Sequence, residues 1–161
     1  MKIKIGIIAL VFLLIAFILS SSLGLGMAPH VVFTSINGDK IELKKLQGKP
    51  VIVTFWATDC ASCIQEVPHL IKLYQQFHRQ GLEIIAVAMA YDPPSHVVSM
   101  TKLKQIPYPV ALDLKGNHAQ AFDNVQWTPT TFLISPTGAI VMKKTGLLDI
   151  TDIQQRIKKF L

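Results

Sequence analysis

The chain has 161 residues but only two cysteines, few charges (16%) and few aromatics (8%). Each scarcity excludes something. With Cys60 and Cys63 alone there is no second CxxC to complete a four-ligand zinc site. His69 and His78, the histidines next downstream, do not stand at a standard ligand spacing from the pair. The 16 Lys and Arg exceed the 10 Asp and Glu modestly. Two of those lysines are Lys2 and Lys4, and the others are dispersed, with no basic stripe interleaved with aromatics. Nucleic-acid binding has no support in that pattern. The basic end of the chain, "QQRIKKFL", fits a helix C-terminus, where cations meet the dipole favourably. No internal repeat is present, and no low-complexity segment beyond the N-terminal one.

That N-terminal segment is an uncharged run from Ile5 to Met27 behind Lys2 and Lys4, with bulky apolar residues from Ile5 to Leu19. It approaches the roughly 20 residues needed to span a bilayer. No cysteine follows it, so a bacterial lipoprotein anchor is excluded. Ser22 and Gly24, or Gly24 and Gly26, are passable cleavage positions, although no A-x-A ends the run. Residues 1–28 therefore read as a transmembrane anchor or a signal segment, and 29–161 as one exported domain. About 130 residues suffice for one hydrophobic core, so the cysteines are not needed as a staple.

In the domain, "HVVFTSINGDKIEL" predicts two short strands around Asn37-Gly38, and "KKLQGKP" a helical turn. "VIVTFWA" is a β-branched and aromatic run typical of a buried strand. From Cys60 to about Gln80, Ile64, Val67, Leu70, Ile71, Tyr74 and Phe77 recur at helical spacing, and Gly81 closes the helix. "LEIIAVAMA" predicts another buried strand. Asp92 reads as the cap of a helix with prolines in its first turn. A strand "YPVALD", a brief helix in "KGNHAQAFDN", a hairpin across Pro136-Thr137-Gly138 and a last helix capped by Asp149 complete the order. Alternating strands and helices followed by a hairpin imply an α/β domain with a mixed central sheet flanked by helices.

The chemistry sits in "FWATDCASC". Cys60 falls where strand gives way to helix, and unpaired N–H groups at a helix N-terminus favour a thiolate. Cys63, one turn on, sits deeper. One exposed attacking thiol and one sheltered resolving thiol are what thiol–disulfide exchange requires. An inert disulfide would close a very short loop and add little stability; a metal site would lack ligands. Glu66 follows Cys63 by three residues and shares its side of the helix. Held among apolar neighbours it would have a raised pKa and trade protons with the inner thiol; on the surface it would be an ordinary solvated carboxylate. Pro68 removes a hydrogen bond within the same helix. Thr128-Pro129 precedes a strand, where an X-Pro bond can be cis and the Thr128 backbone is free to pair with an extended substrate.

"FWAT-CxxC", Glu66, Pro68, "TPTTFLI", "PTGAIV" and the helix inserted around Asp92–Gln105 together resemble the thioredoxin superfamily. Within it they are similar to the membrane-anchored TlpA/ResA-like thiol–disulfide oxidoreductases of bacteria, over roughly Val31 to Leu161. The resemblance implies a thioredoxin-like fold with an N-terminal β-hairpin extension and an inserted helix. It implies Cys60 as nucleophile, Cys63 as resolving thiol, Pro129 as a cis-proline beside the sulfurs, Trp56 flanking the site and Glu66 as the acidic group. Thr54 stands where ordinary thioredoxins carry a buried aspartate.

Asp59 departs from the family, which usually has Trp before the first cysteine. A carboxylate ~7 Å from the sulfur disfavours thiolate by about 0.6 kcal/mol in water, or about 2 kcal/mol at an effective dielectric of 20. That tunes the couple toward a weaker oxidant; Asp59 can equally cap the helix.

The implied function is a periplasmic oxidoreductase that reduces disulfides of exported clients, in cytochrome c or copper-site maturation. Its only redox group is the Cys60–Cys63 pair, with no metal and no other cofactor. Electrons would come from a membrane thiol transporter of the DsbD/CcdA kind. The alternatives are a disulfide-forming oxidant, or a copper- or peptide-binding module without turnover. Peroxidase chemistry is disfavoured because no arginine lies near the motif.

Overall fold

The computed structural model describes residues 26–161. The anchor or signal segment read at residues 1–28 lies outside the described residues except for Gly26–Ala28. No helix among the described residues is long and apolar enough to cross a membrane.

The chain first forms an antiparallel pair, β1 (Val32–Thr34) and β2 (Lys40–Glu42), with Phe33 opposite Ile41. Ser35 Oγ accepts from the N–H groups of Asn37 and Asp39, and Gly38 takes the left-handed φ of 90° that the turn needs. A 3-10 turn, Leu43–Leu46, leads into β3 (Val51–Trp56). Helix α1 (Ala61–Phe77) follows and ends through a 3-10 turn at Gly81, whose φ is 118°. Next come β4 (Glu83–Ala88), α2 (Pro94–Leu103), β5 (Val110–Leu112), α3 (Asn117–Ala121), β6 (Thr130–Ile134), β7 (Ile140–Thr145) and α4 (Ile150–Lys158).

The five-stranded sheet has the order β5-β4-β3-β6-β7. β3 pairs with β4 in parallel and with β6 antiparallel, so β3 is central and all six of its residues are buried. That burial on both faces is why its sequence is apolar but for Thr54, whose hydroxyl is paired within the sheet. Successive side chains alternate between faces. Ile52 and Trp56 join Leu70, Leu73 and Phe77 of α1 and Ile153 and Ile157 of α4. Val51, Val53 and Phe55 join Phe33, Phe122 and Phe132 on the other face. The β1–β2 pair docks on the β5 edge, where the Ile36 N–H donates to the Val110 carbonyl at 2.8 Å. This extension covers part of an otherwise open strand.

The thioredoxin-like architecture expected above is the one observed, and Asp149 caps α4 by accepting from the Thr151 and Asp152 N–H groups. Asp92 is a correction. Residue Pro93 precedes the first turn of α2 and no side chain caps it. Asp92 is instead buried and turned toward Thr58, for the reason given below.

Candidate active site

The strand β3 ends at Trp56, and α1 begins at Ala61 after four intervening residues. Cys60 is itself the N-cap: its Sγ accepts from the Cys63 N–H at 3.2 Å. Asp59 is therefore not the cap. It is exposed and makes no hydrogen bond among the described residues, so water screens its charge and its effect on the sulfur belongs at the lower bound of the range above.

Cys60 and Cys63 are joined as a disulfide, with Cα atoms 5.2 Å apart. The two ends differ. Cys60 is half-buried at the surface, and its sulfur lies 3.4 Å from Ser62 Oγ. Cys63 is 3% exposed and lines a cavity with Thr54, Trp56, Glu66, Tyr108 and Pro129. The cavity holds about 10 Å³ of accessible space, room for about one water. The peptide bond Thr128-Pro129 is cis, and Pro129 lines the inner sulfur's cavity. Thr128 is half-buried and makes no backbone–backbone hydrogen bond among the described residues.

Glu66 is buried, 2% exposed, on the same side of α1 as Cys63. Burial pushes its carboxyl above the usual carboxylate range, and the Leu148 N–H, donating at 2.8 Å, pulls partly back. Tyr108 faces the same cavity. Burial first, and then the Glu66 charge, hold its phenol above its ordinary value. Thr54 Oγ1 and Thr131 Oγ1 lie 2.8 Å apart, directly opposite each other on β3 and β6.

Trp56 does not present an open face to solvent. It is 4% exposed, and its indole N–H has no partner among the described residues. The exposed aromatic beside the cis-proline is Trp127, two residues before Pro129 and 72% exposed. Sequence reasoning missed Trp127, Tyr108 and the partner of Asp92. Only the first carried a local signal, an aromatic residue immediately before Thr-Pro.

That partner is Thr58. Asp92 Oδ2 accepts from the Thr58 N–H at 2.7 Å and Oδ1 from the Thr58 hydroxyl at 2.6 Å. A buried carboxyl needs such donors, and here the loop that carries the cysteines supplies them. No three His, Cys, Asp or Glu side chains cluster as a metal ion would require, among the described residues.

The arrangement is an asymmetric disulfide at a strand–helix junction, backed by a cis-proline and a buried acid. The sequence profile of the AhpC/TSA family matches residues 26–143. A thiol-disulfide oxidoreductase ResA from Bacillus subtilis is 39% identical over 121 residues, 75% of this chain and 66% of that protein. One from Bacillus cereus is 40% identical over 119 residues, covering 74% of this chain and 68% of that protein.

This chain belongs to the AhpC/TSA family.

Within it the chain groups with the ResA-like thiol–disulfide oxidoreductases, and the enzymatic class read from its CxxC is the class of those relatives. A putative thioredoxin from Neisseria meningitidis superimposes with a TM-score of 0.78 at 29% identity, covering 83% of this chain and 89% of that one. The family profile stops within β7, whereas Glu66 is tied to Leu148 beyond it.

Proposed function

We propose that the chain is a periplasmic reductase of disulfides in exported proteins. Cys60 attacks one sulfur of a client disulfide. A mixed disulfide forms, and the client's other sulfur leaves as a thiolate and takes up a proton. Cys63 then gives its proton to Glu66 and attacks Cys60. The Cys60–Cys63 disulfide forms, and the client's second sulfur leaves and is protonated. Two electrons have passed to the client, and the pair needs two electrons back before the next turn. A membrane thiol transporter of the DsbD/CcdA kind would return them. Clients whose cysteine pairs must stay reduced, for haem attachment or copper-site assembly, fit that chemistry. The Thr128 backbone would pair with the client's extended chain beside Pro129.

The observation that supports this reading best is the difference in burial between the two sulfurs. Only Cys60 is open to a client, and only Cys63 shares a cavity with Glu66 and Pro129. Location is carried by the uncharged run behind Lys2 and Lys4, as an anchor in the inner membrane or as a cleaved signal.

The test is the reduction potential of the Cys60–Cys63 couple together with insulin reduction in the presence of dithiothreitol. A potential near the roughly −270 mV of thioredoxin, with turnover, supports a reductase. One near the roughly −120 mV of DsbA would make it a disulfide-forming oxidant. Copper retained through dialysis without turnover would make it a binding module.

A further inference from the structure

We propose that Asp92 is a positioning residue for Cys60, locking the turn that carries the nucleophile to the entry of α2. The inference rests on Cys60 being the attacking thiol. It assigns to a residue 34 positions away the task of holding that thiol at the helix N-terminus.

The loop Ala57–Asp59, with the N-cap Cys60, is all that joins β3 to α1. Its own bonds are few. The Cys60 N–H reaches the Ala57 carbonyl at 3.3 Å, near the long limit for such a bond. Asp59 points to solvent without a partner among the described residues. Against that weak local framework stand the two short bonds from Asp92, at 2.7 and 2.6 Å. Among the described residues they are the only side-chain bonds that reach residues 57–59 from elsewhere in the chain. They fix both the backbone and the side chain of Thr58, two residues before the nucleophile.

Asp92 is itself held rigidly. It is 5% exposed, and its N–H donates to the Met89 carbonyl at 3.0 Å, while the Met89 N–H donates to Trp56 at 3.0 Å. Pro93 and Pro94 follow at once and stiffen the entry to α2. The other side of Thr58 lines an open pocket with His96, Ser99, Met100 and Leu103 of α2. The inserted helix and the reactive turn are thus joined through one carboxyl group.

This matters for chemistry because the stabilisation of a thiolate at a helix N-terminus falls off within the first turn. A turn free to drift carries the Cys60 sulfur away from those N–H groups and lowers the thiolate fraction. A residue that merely braced the fold would change melting temperature without changing the sulfur.

Asn at position 92 can keep both bonds, its Oδ1 accepting from the Thr58 N–H and its NH₂ donating to the Thr58 hydroxyl, whereas Ala keeps neither. Both substitutions remove the carboxyl, so their difference isolates positioning from charge. The experiment measures iodoacetamide alkylation of Cys60 against pH in the reduced full-length chain carrying Cys63→Ala. Asp92→Ala should react about three- to tenfold more slowly at pH 7 than Asp92→Asn, with its profile displaced to higher pH. Thr58→Ala against Thr58→Ser should show the same direction, and decides the matter if Asp92→Ala does not fold. Identical profiles within the foldable pair, with only melting temperature changed, would overturn the proposal. Loss of insulin turnover in the unmodified chain would count against the reductase reading alone, since alkylation needs no client.

Discussion

The carboxyl of Glu66 accepts from the backbone N–H of Leu148 at 2.8 Å, across 82 residues of sequence. The acid beneath the inner sulfur therefore also holds the chain just before α4. Proton chemistry and C-terminal packing meet in one side chain, and substitutions there separate the two.

Glu66→Gln keeps an oxygen for the Leu148 N–H but cannot ionise. Because burial raises the folded-state pKa of Glu66 above its ordinary 4.5, the folded chain binds that proton more tightly than the unfolded one. The stability this gives is fully present below about pH 4.5 and is lost as pH rises through the raised value. Melting curves from pH 4 to 8 should show Glu66→Gln gaining on the wild type as pH increases. A constant difference would show that Glu66 is not raised. Glu66→Ala should cost about 1–3 kcal/mol more than Glu66→Gln, because the Leu148 N–H loses its acceptor.

The Thr54–Thr131 pair predicts a specific pattern of non-additivity. Thr54→Val alone, or Thr131→Val alone, leaves one buried hydroxyl unpaired and should cost about 1–3 kcal/mol in urea denaturation. The double substitution removes both hydroxyls at nearly constant shape and should recover much of that loss. Additive costs would contradict the 2.8 Å contact.

Trp127→Ala removes an exposed ring that packs no core. Stability should change by no more than about 0.5 kcal/mol, while KM for a protein disulfide rises. If KM is unaltered, Trp127 does not touch clients.

Asp59→Trp tests the acidic residue before the nucleophile. With Asp59 exposed, its effect is near the aqueous limit of about 0.6 kcal/mol, which is roughly 15 mV for a two-electron couple. The Cys60 pKa should fall and the reduction potential rise by about that much. An unchanged potential would discard Asp59 as a tuning residue.

Much of this was legible from the residues. The run Val51–Trp56 identified the central strand because burial on both faces leaves Thr54, a β-branched residue with its hydroxyl paired, as its one polar position. The CxxC after that run placed two sulfurs at a strand–helix junction, and three-residue spacing put Glu66 beside Cys63. What could not be read were the contacts that cross the fold. Asp92 before two prolines looks like a helix cap, since a cap is the commonest local use of such an aspartate. Its true partner is fixed only when β3 and β4 lie side by side. Tyr108 and Leu148 come to Glu66 in the same way, by packing of distant elements, and leave no periodic trace. Trp56 lines the inner sulfur's cavity beside the motif, but its burial could not be read from its place in the run.

The central claim is that Cys60 attacks and Cys63 resolves. It is tested most directly by mixing reduced Cys63→Ser and reduced Cys60→Ser separately with a disulfide-bonded protein and weighing the adducts by mass spectrometry. The account predicts that Cys63→Ser accumulates a stable mixed disulfide through Cys60, while Cys60→Ser forms little or none. Accumulation through Cys63 instead, with Cys60 unreactive, would contradict it.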